Sequence, residues 1–198
     1  MEDLTNDHLR DVILAVQGIY ARKDPAHDLQ HALRVREWGR LIALQEGADS
    51  LIVELSAILH DIGRSGTVEK THAESSAALA VSILQKCRYP ASVIEKVKEC
   101  IITHSREGGY EPQSLEAKIL YDADKLDFVG PVGIARLFSW GGAQGLSFFG
   151  RNSCEEFYRQ RICHYQEHIN TKSAKMYFEP LFSYMENFWD RLESARLK

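Results

Sequence analysis

Apolar residues recur every three or four positions along most of this chain, which is the spacing of one buried face of an α-helix. Alternation of apolar and polar residues, the pattern of a half-buried strand, is rare. The pattern therefore predicts an all-α domain, a single-domain helical bundle. The first helix of this bundle is predicted from Leu9, Val12, Ile13, Val16 and Ile19.

Residues with capping chemistry predict where the next helices begin and end. Asp24-Pro25 predicts the start of a second helix, because proline is favoured at the first helical position, and Gly47 predicts its end. A third helix, rich in Leu and Ile, ends near Gly63. Ser50 is the predicted start of this third helix. The capping-box pair Thr71 and Glu74 and, further along, Ser114 predict the starts of later helices.

The C-terminal third gives weaker patterns, but they also indicate helices. Pro180 is expected to kink or restart the last of them. The aromatic residues Phe148 and Phe149 lie in a glycine-rich loop and could stack a base or simply pack. The predicted elements are a helix over 128–140, a loop over 141–153 that could act as a lid, and closing helices over 155–169 and 174–196.

Length and composition indicate one ordinary globular domain over residues 1–198. The 198 residues are 44% hydrophobic and 26% charged, and the net charge of −4 does not favour a partner that is a nucleic-acid polymer. No apolar run is long enough for a membrane span, and the acidic start is unlike a secretory leader. The four cysteines show no C-x-x-C spacing, so we expect reduced thiols and a cytoplasmic protein.

Four residues with metal-ligand chemistry are predicted to face the core. His31 is followed by apolar residues at helical offsets of 4, 7 and 11, and His60-Asp61 closes an apolar helix. Asp124 falls on the apolar stripe of its helix. A carboxylate in such a place is costly unless it is paired or binds a metal. Each residue alone has an ordinary structural explanation, but the four together predict a metal site.

Three aspartates compete for the last ligand position. Asp122 and Lys125 are predicted to take the solvent face of their helix, whereas Asp124 faces inward. Asp127 comes three residues later and could orient a ligand from behind. Helical phase therefore favours Asp124.

The order His31, His60-Asp61, Asp124 resembles the H…HD…D signature of the HD-domain metal-dependent phosphohydrolase superfamily. The match is similar to that of a subgroup of small bacterial HD hydrolases, some of which are nucleotide pyrophosphohydrolases. It covers residues 24 to about 140, whereas the C-terminal helices, within 155–196, would complete the bundle. The segments that carry the resemblance are HDLQHALRV (27–35), LHDIG (59–63), THS (103–105) and KILYDADKLD (118–127).

The resemblance implies an all-α fold in which the four matched residues bind one divalent metal. Two imidazoles and two carboxylates suit a transition metal such as Mn²⁺, Fe²⁺, Co²⁺, Ni²⁺ or Zn²⁺. A metal-activated water would attack a nucleotide or related phosphate ester, and we expect a nucleoside triphosphate pyrophosphohydrolase first. Asp61 is expected both to bind the metal and to orient the nucleophile.

Histidines between the signature motifs add further expectations. His72 and His104 are expected to act in catalysis, by contacting phosphate or as general acids. The alternative is a second metal site in which Asp61 bridges two ions, although we expect one ion rather than two. His27 and Asp127 are expected just behind the ligands. A phosphorylated substrate also needs cations, and Arg64, Arg106 and Lys125 lie beside the predicted site segments.

Two other functions remain open at this stage. One is an HD-like iron-dependent oxygenase, and the other is a non-catalytic ligand-binding module whose fold a metal ion stabilises. The sequence does not decide whether the chain forms a homo-oligomer.

Overall fold

The protein folds into an all-α domain, as the periodicity predicts. The computed structural model describes residues 2–21, 26–64, 71–105 and 109–196, with side chains from residue 9 onward, and these ranges contain no β-strand. In chain order, the helices are α1 (Glu2–Tyr20), α2 (Leu29–Glu46), α3 (Ser50–Leu59), α4 (His72–Lys86), α5 (Ala91–Thr103), α6 (Leu115–Leu126), α7 (Gly130–Ala143), α8 (Cys154–Phe157), a π-helical turn (Tyr158–Ile162), α9 (Cys163–Tyr165), a 3₁₀ turn (Gln166–His168) and α10 (Lys172–Ser194).

Helix α3 forms the centre of the bundle. It is apolar nearly all round, and a helix of this kind is stable only when neighbours cover every side. Helices α1, α2, α5 and α6 pack against it. Since His60 and Asp61 directly follow α3, this burial carries both side chains into the middle of the domain.

The turn after Asp61 is held against the start of α4. A Cβ atom on Gly63 would lie 2.3 Å from the backbone nitrogen of Ser76, so only glycine fits there. The Gly63 N–H donates to Ser76 Oγ at 2.9 Å. This close approach places His72, at the start of α4, beside the end of α3.

Capping residues explain most helix starts, with two corrections. The expected start at Asp24-Pro25 lies outside the described residues, and α2 begins at Leu29, where the Asp28 carboxylate accepts from the His31 N–H at 2.9 Å. Asp49, not Ser50, caps α3, since its carboxylate is the one that reaches the free N–H groups. The predicted cap at Ser114, the Thr71–Glu74 capping box and the end of α2 at Gly47 are confirmed.

The C-terminal elements differ from the prediction in their boundaries. Helix α7 extends to Ala143, so the predicted loop over 141–153 begins later. The segment over 155–169 is not one α-helix, because a π-helical turn and a 3₁₀ turn interrupt it. Helix α10 runs through Pro180 without restarting. None of the helices in the described ranges combines the length and the apolar run that crossing a bilayer requires.

The prediction that Asp122 faces solvent is wrong. Its side chain is fully buried, and its two oxygens accept four hydrogen bonds of 2.8–2.9 Å from the backbone and side chains of Asn170 and Thr171. Thr171 is the N-cap of α10. Asp122 therefore fixes the start of the last helix to α6, and it takes no part in the site described below.

Replacing Asp122 with alanine should destabilise the fold by about 2–4 kcal/mol, because buried donors at the start of α10 would lose their acceptor. The free energy of unfolding can be measured by urea denaturation followed by circular dichroism. Asp190→Ala, which removes an exposed carboxylate from α10, is the matched control and should stay near wild type. Equal midpoints for the two variants would contradict this account of Asp122.

Candidate metal centre

Four side chains predicted as metal ligands converge at the centre of the bundle. His31 comes from α2, His60 and Asp61 follow α3, and Asp124 belongs to α6. The His31 Nε2 atom lies 3.2 Å from His60 Nε2, 3.8 Å from Asp61 Oδ2 and 3.5 Å from Asp124 Oδ1. His60 Nε2 lies 3.6 Å from Asp61 Oδ2 and 3.9 Å from Asp124 Oδ1. All four residues are at most 6% exposed, so their polar atoms face one another rather than water.

Hydrogen bonds at the far side of each imidazole set its tautomer. His31 Nδ1 donates to Asp127 Oδ2 at 2.8 Å, and His60 Nδ1 donates to the carbonyl oxygen of Ala57 at 2.7 Å. A neutral imidazole that donates from Nδ1 presents a lone pair at Nε2. Burial lowers the pKa of His31 to about 4, so this ring is neutral at pH 7. Two Nε2 lone pairs at 3.2 Å are favourable only with a cation or proton between them.

The carboxylates of the cluster are ionised although they are buried. Burial alone would raise the pKa of Asp61, but His60 and Arg64 outweigh it and hold this pKa well below its usual range. In the same way, the Lys125 ammonium outweighs burial at Asp124, whose pKa is also well below its usual range. Asp61 Oδ1 is buried and accepts no hydrogen bond from the described residues. A set of acceptors without a donor between them is the chemistry of a cation site, so the residues fit a divalent metal.

A second set of acceptors shares Asp61 with the first. Asp61 Oδ1 lies 3.7 Å from His72 Nε2 and 3.9 Å from His104 Nε2, and the two Nε2 atoms are 3.2 Å apart. His104 Nδ1 donates to the carbonyl oxygen of Ile101 at 2.6 Å, so its Nε2 also faces the cluster. The spacing of ligands to a single ion is found within His31, His60 and Asp61 and again within Asp61, His72 and His104. The structure thus brings both predicted catalytic histidines to the centre.

Arg64 lies against the second set. Its Nε atom is 3.1 Å from Asp61 Oδ1, and its Nη2 atom is 3.2 Å from His72 Nε2. These are two of the three ligand atoms that a second metal ion would use. About a third of the Arg64 side chain remains exposed, and it lines the cavity above the cluster.

The other predicted cations have different outcomes. Lys125 is buried, contrary to the expectation of a solvent face, and its Nζ lies 2.6 Å from Asp124 Oδ2. The rings of Tyr121 and Tyr165 shield it, at 4.6 and 5.5 Å from Nζ. Arg106 lies outside the described residues. Lys125 is therefore placed to keep Asp124 ionised.

Asp127 and His27 lie directly behind the cluster. Besides His31, the Asp127 carboxylate binds Arg34 at 2.7 and 3.0 Å and Arg136 at 3.0 Å. Arg136 also donates to the carbonyl oxygen of Ala26, which precedes His27. The ring of His27 meets that of His31 edge-on, with centroids 6.1 Å apart.

Sequence reasoning did not single out the two arginines. Arg34 lies three residues after His31 on one helix, so its spacing could have indicated it, whereas Arg136 reaches Asp127 from a different helix, α7.

A cavity of about 120 Å³ opens above the cluster. Its polar lining includes His72, His104 and Asp124, together with the cations Arg64 and Lys125. Most of its remaining lining comes from residues 128–165 and is strongly aromatic, although the apolar patterns in this part of the sequence are weak. These additional lining residues include Phe128, Leu137, Trp140, Phe157, Arg161 and Tyr165.

The chain matches a known domain family and is similar in sequence and fold to known proteins. Residues 28–129 match the family model described as HD domain. The uncharacterised protein YpgQ of Bacillus subtilis (strain 168) is 30% identical over 182 residues, which cover 90% of this chain and 88% of YpgQ. A crystal structure of YpgQ in complex with ADP has a TM-score of 0.81 at 24% identity and covers 97% and 96% of the two chains. The crystal structure of a predicted HD superfamily hydrolase from an uncultured Thermotogales bacterium has a TM-score of 0.71 at 32% identity. This match covers 94% of the present chain and 92% of the hydrolase.

Replacing Asp127 with asparagine should weaken binding of a divalent metal roughly 10- to 100-fold, because His31 would lose the carboxylate that fixes its tautomer. The dissociation constant for Mn²⁺, measured by calorimetry, tests this expectation. Asp190→Asn makes the same chemical change on the exposed face of α10 and should bind Mn²⁺ like the wild type. Unchanged affinity in the Asp127 variant would show that the His31–Asp127 bond does not support the site.

Proposed function

Since the chain belongs to the HD domain family of metal-dependent hydrolases, we propose that its substrate is a nucleotide. The first reaction we propose is hydrolysis of a nucleoside triphosphate to a monophosphate and pyrophosphate, and the second is release of phosphate from a monophosphate. The observation that carries this proposal is the cluster of six inward-facing acceptors at the base of a cavity with a cation at its rim. The ADP complex of the similar protein YpgQ supports a nucleotide as the ligand class.

His31, His60, Asp61 and Asp124 are the residues that would hold a divalent transition metal. When bound there, such an ion polarises a phosphoryl oxygen and lowers the pKa of a water molecule. The protein contributes a neutral His31 imidazole and ionised carboxylates at pH 7, so no proton has to leave His31 before it can bind the ion. The mixture of two nitrogens and two oxygens suits Mn²⁺, Fe²⁺, Co²⁺, Ni²⁺ or Zn²⁺.

Asp61 is the residue that we propose orients the attacking water. Its Oδ2 faces His31 and His60, whereas its buried Oδ1 accepts no hydrogen bond from the described residues and lies 3.1 Å from the Nε atom of Arg64. Oδ1 can therefore accept a hydrogen bond from the water that attacks phosphorus, and then its proton. In the first reaction, the bond between the α-phosphorus and its bridging oxygen breaks, and pyrophosphate leaves.

The cations and histidines around Asp61 have separate proposed roles. Arg64 is partly exposed at the cavity and can bind two phosphoryl oxygens through its planar guanidinium. Lys125 is already paired with Asp124, so its main role is to maintain the charge of that ligand. His72 and His104 point their Nε2 atoms at the same space, and after its Nε2 has taken up the proton that the attacking water gives to Asp61, either ring can contact the phosphate or protonate the leaving group.

A single ion is the stoichiometry that we propose, because Arg64 lies against the atoms of the second set. Wild-type protein should then bind about one Mn²⁺ per chain, whereas Arg64→Ala should free Asp61 Oδ1 and His72 Nε2 and bind about two. Metal content after dialysis, measured by inductively coupled plasma mass spectrometry, distinguishes these values. Arg159→Ala removes an exposed arginine elsewhere and should leave the content unchanged. Two ions in the wild type would contradict the proposal.

Hydrolysis of nucleotides tests the proposed function directly. The Mn²⁺-loaded wild type should release pyrophosphate from nucleoside triphosphates, and the double variant His60→Ala, Asp61→Ala should lose at least about 1000-fold in kcat/KM, since it lacks two ligands and the residue that orients water. Separating the products by ion-exchange chromatography shows which bond breaks.

The double variant His168→Ala, Asp190→Ala is a matched control, because it removes the same two residue types from outside the cluster. It should retain wild-type turnover. Equal turnover by all three proteins, or no turnover by the wild type on any nucleotide tested, would refute the proposed reaction.

A further inference from the structure

The outer part of the cavity is lined by aromatic side chains of the C-terminal third. Trp140 comes from α7, Phe157 ends α8, and Tyr165 ends α9. The rings of Trp140 and Phe157 are in contact, with centroids 4.7 Å apart and planes inclined at 47°. Tyr165 is supported by the edge of Phe128, at 6.2 Å between centroids. We call Trp140, Phe157 and Tyr165 the aromatic wall.

Arg161 extends this wall from a backbone segment of unusual geometry. It lies in the π-helical turn Tyr158–Ile162, and single π-helical turns occur often at functional sites because they change the direction of the side chains that follow. Its guanidinium lies over the ring of Phe157, at 5.4 Å from the centroid, although Arg161 is exposed. The turn thus presents a planar cation beside planar rings at the cavity.

The aromatic wall continues into an adjoining cavity. This second space has a volume of about 310 Å³ and shares Ser105, Lys125, Arg161 and Tyr165 with the first. The two cavities therefore adjoin along these residues. Together they have room for more of a substrate than its phosphate groups.

We propose that the aromatic wall and Arg161 bind the flat heterocycle of the substrate by stacking, while its phosphates face Arg64 and the acceptor cluster. This inference deepens the proposed function and rests on it for the position of the phosphates. Polar groups of the cavity come mainly from α3 to α6 and the turns that follow them, and the aromatic groups from α7 to α9. Such a division matches a nucleotide, which is charged at one end and aromatic at the other.

The glycine-rich loop, whose aromatic residues could stack a base or simply pack, does not contribute to the aromatic wall. Phe148 packs edge-on against Phe138, with centroids 5.2 Å apart, and Phe149 lies under the guanidinium of Arg196 at 5.0 Å. Neither lines the cavities described above. Phe148 is nevertheless exposed and aromatic, which makes it a suitable control position.

Stacking on a π-face selects for a flat ring rather than for one base, because every base has such a face. We therefore expect adenine, guanine, cytosine and uracil nucleotides to bind with affinities within roughly tenfold of one another. The aromatic wall would thus define a nucleotide site of broad base tolerance.

Equilibrium binding of two matched probes tests the inference without turnover. One is adenosine 5′-(α,β-methylene)diphosphate, and the other is methylenediphosphonate, which has the same phosphonate linkage but no base. Calorimetry on the Mn²⁺-loaded full chain should show that the wild type binds the nucleotide probe roughly 10- to 100-fold more tightly. This preference should fall to nearly onefold in Trp140→Ala and persist in Trp140→Phe, which keeps a stacking face.

Phe148→Ala is the matched control, because it removes an aromatic ring that lies outside the cavities, and it should keep the wild-type preference. Equal affinity of the wild type for the two probes would overturn the inference, as would a Trp140→Ala variant that loses affinity for both probes alike. A preference for the nucleotide probe in a protein that hydrolyses no nucleotide would support the aromatic wall and refute only the proposed reaction.

Discussion

The buried carboxylate of Asp127 connects the acceptor cluster to the surrounding helices. It accepts from His31 Nδ1, which directs the lone pair of that ring at His60, and it binds Arg34 and Arg136 on its other sides. These contacts join α2, α6 and α7, and Arg136 adds the segment before α2 through Ala26. A buried carboxylate with this number of charged partners is stable only as a complete network. The tautomer on which the site depends is therefore set by the packing of three helices.

Helical phase predicted the residues at the centre of the candidate site, because a polar residue on a buried helix face usually has a specific partner or binds an ion. His31 and Asp124 lie on apolar stripes, where burying a polar side chain is costly unless it has a polar partner or binds an ion. In the structure, His31 Nε2 lies 3.5 Å from Asp124 Oδ1. The same reasoning wrongly predicted that Asp122 and Lys125 are exposed to solvent. A segment far away in the sequence can bury a polar residue that lies on the predicted solvent face of its helix. Asn170 covers Asp122 from 48 residues away. Periodicity within one helix carries no information about such a partner.

The C-terminal third was predicted as helical but not as part of the cavity. An apolar pattern over 155–169 is compatible with a continuous α-helix, and the one-residue insertion that makes a π-turn leaves no mark in composition. This insertion changes the direction in which Arg161 and the residues after it point. Aromatic residues such as Trp140 pack into cores far more often than they bind ligands. Only the tertiary structure separates those that face the cavity from Phe148, which does not.

The distribution of charge around the cluster favours one ion. Each buried carboxylate has a protein cation on its outer side: Lys125 for Asp124, Arg64 for Asp61, and an arginine pair for Asp127. The inner oxygens of Asp61 and Asp124 lie 3.5–3.9 Å from the Nε2 atoms of His31 and His60. Because Arg64 and Lys125 already balance these two carboxylates, one divalent ion there adds two positive charges and a second ion would add two more. A second ion would have to compete with the guanidinium of Arg64 for Asp61 Oδ1, and this competition is the basis of the proposed stoichiometry of one ion.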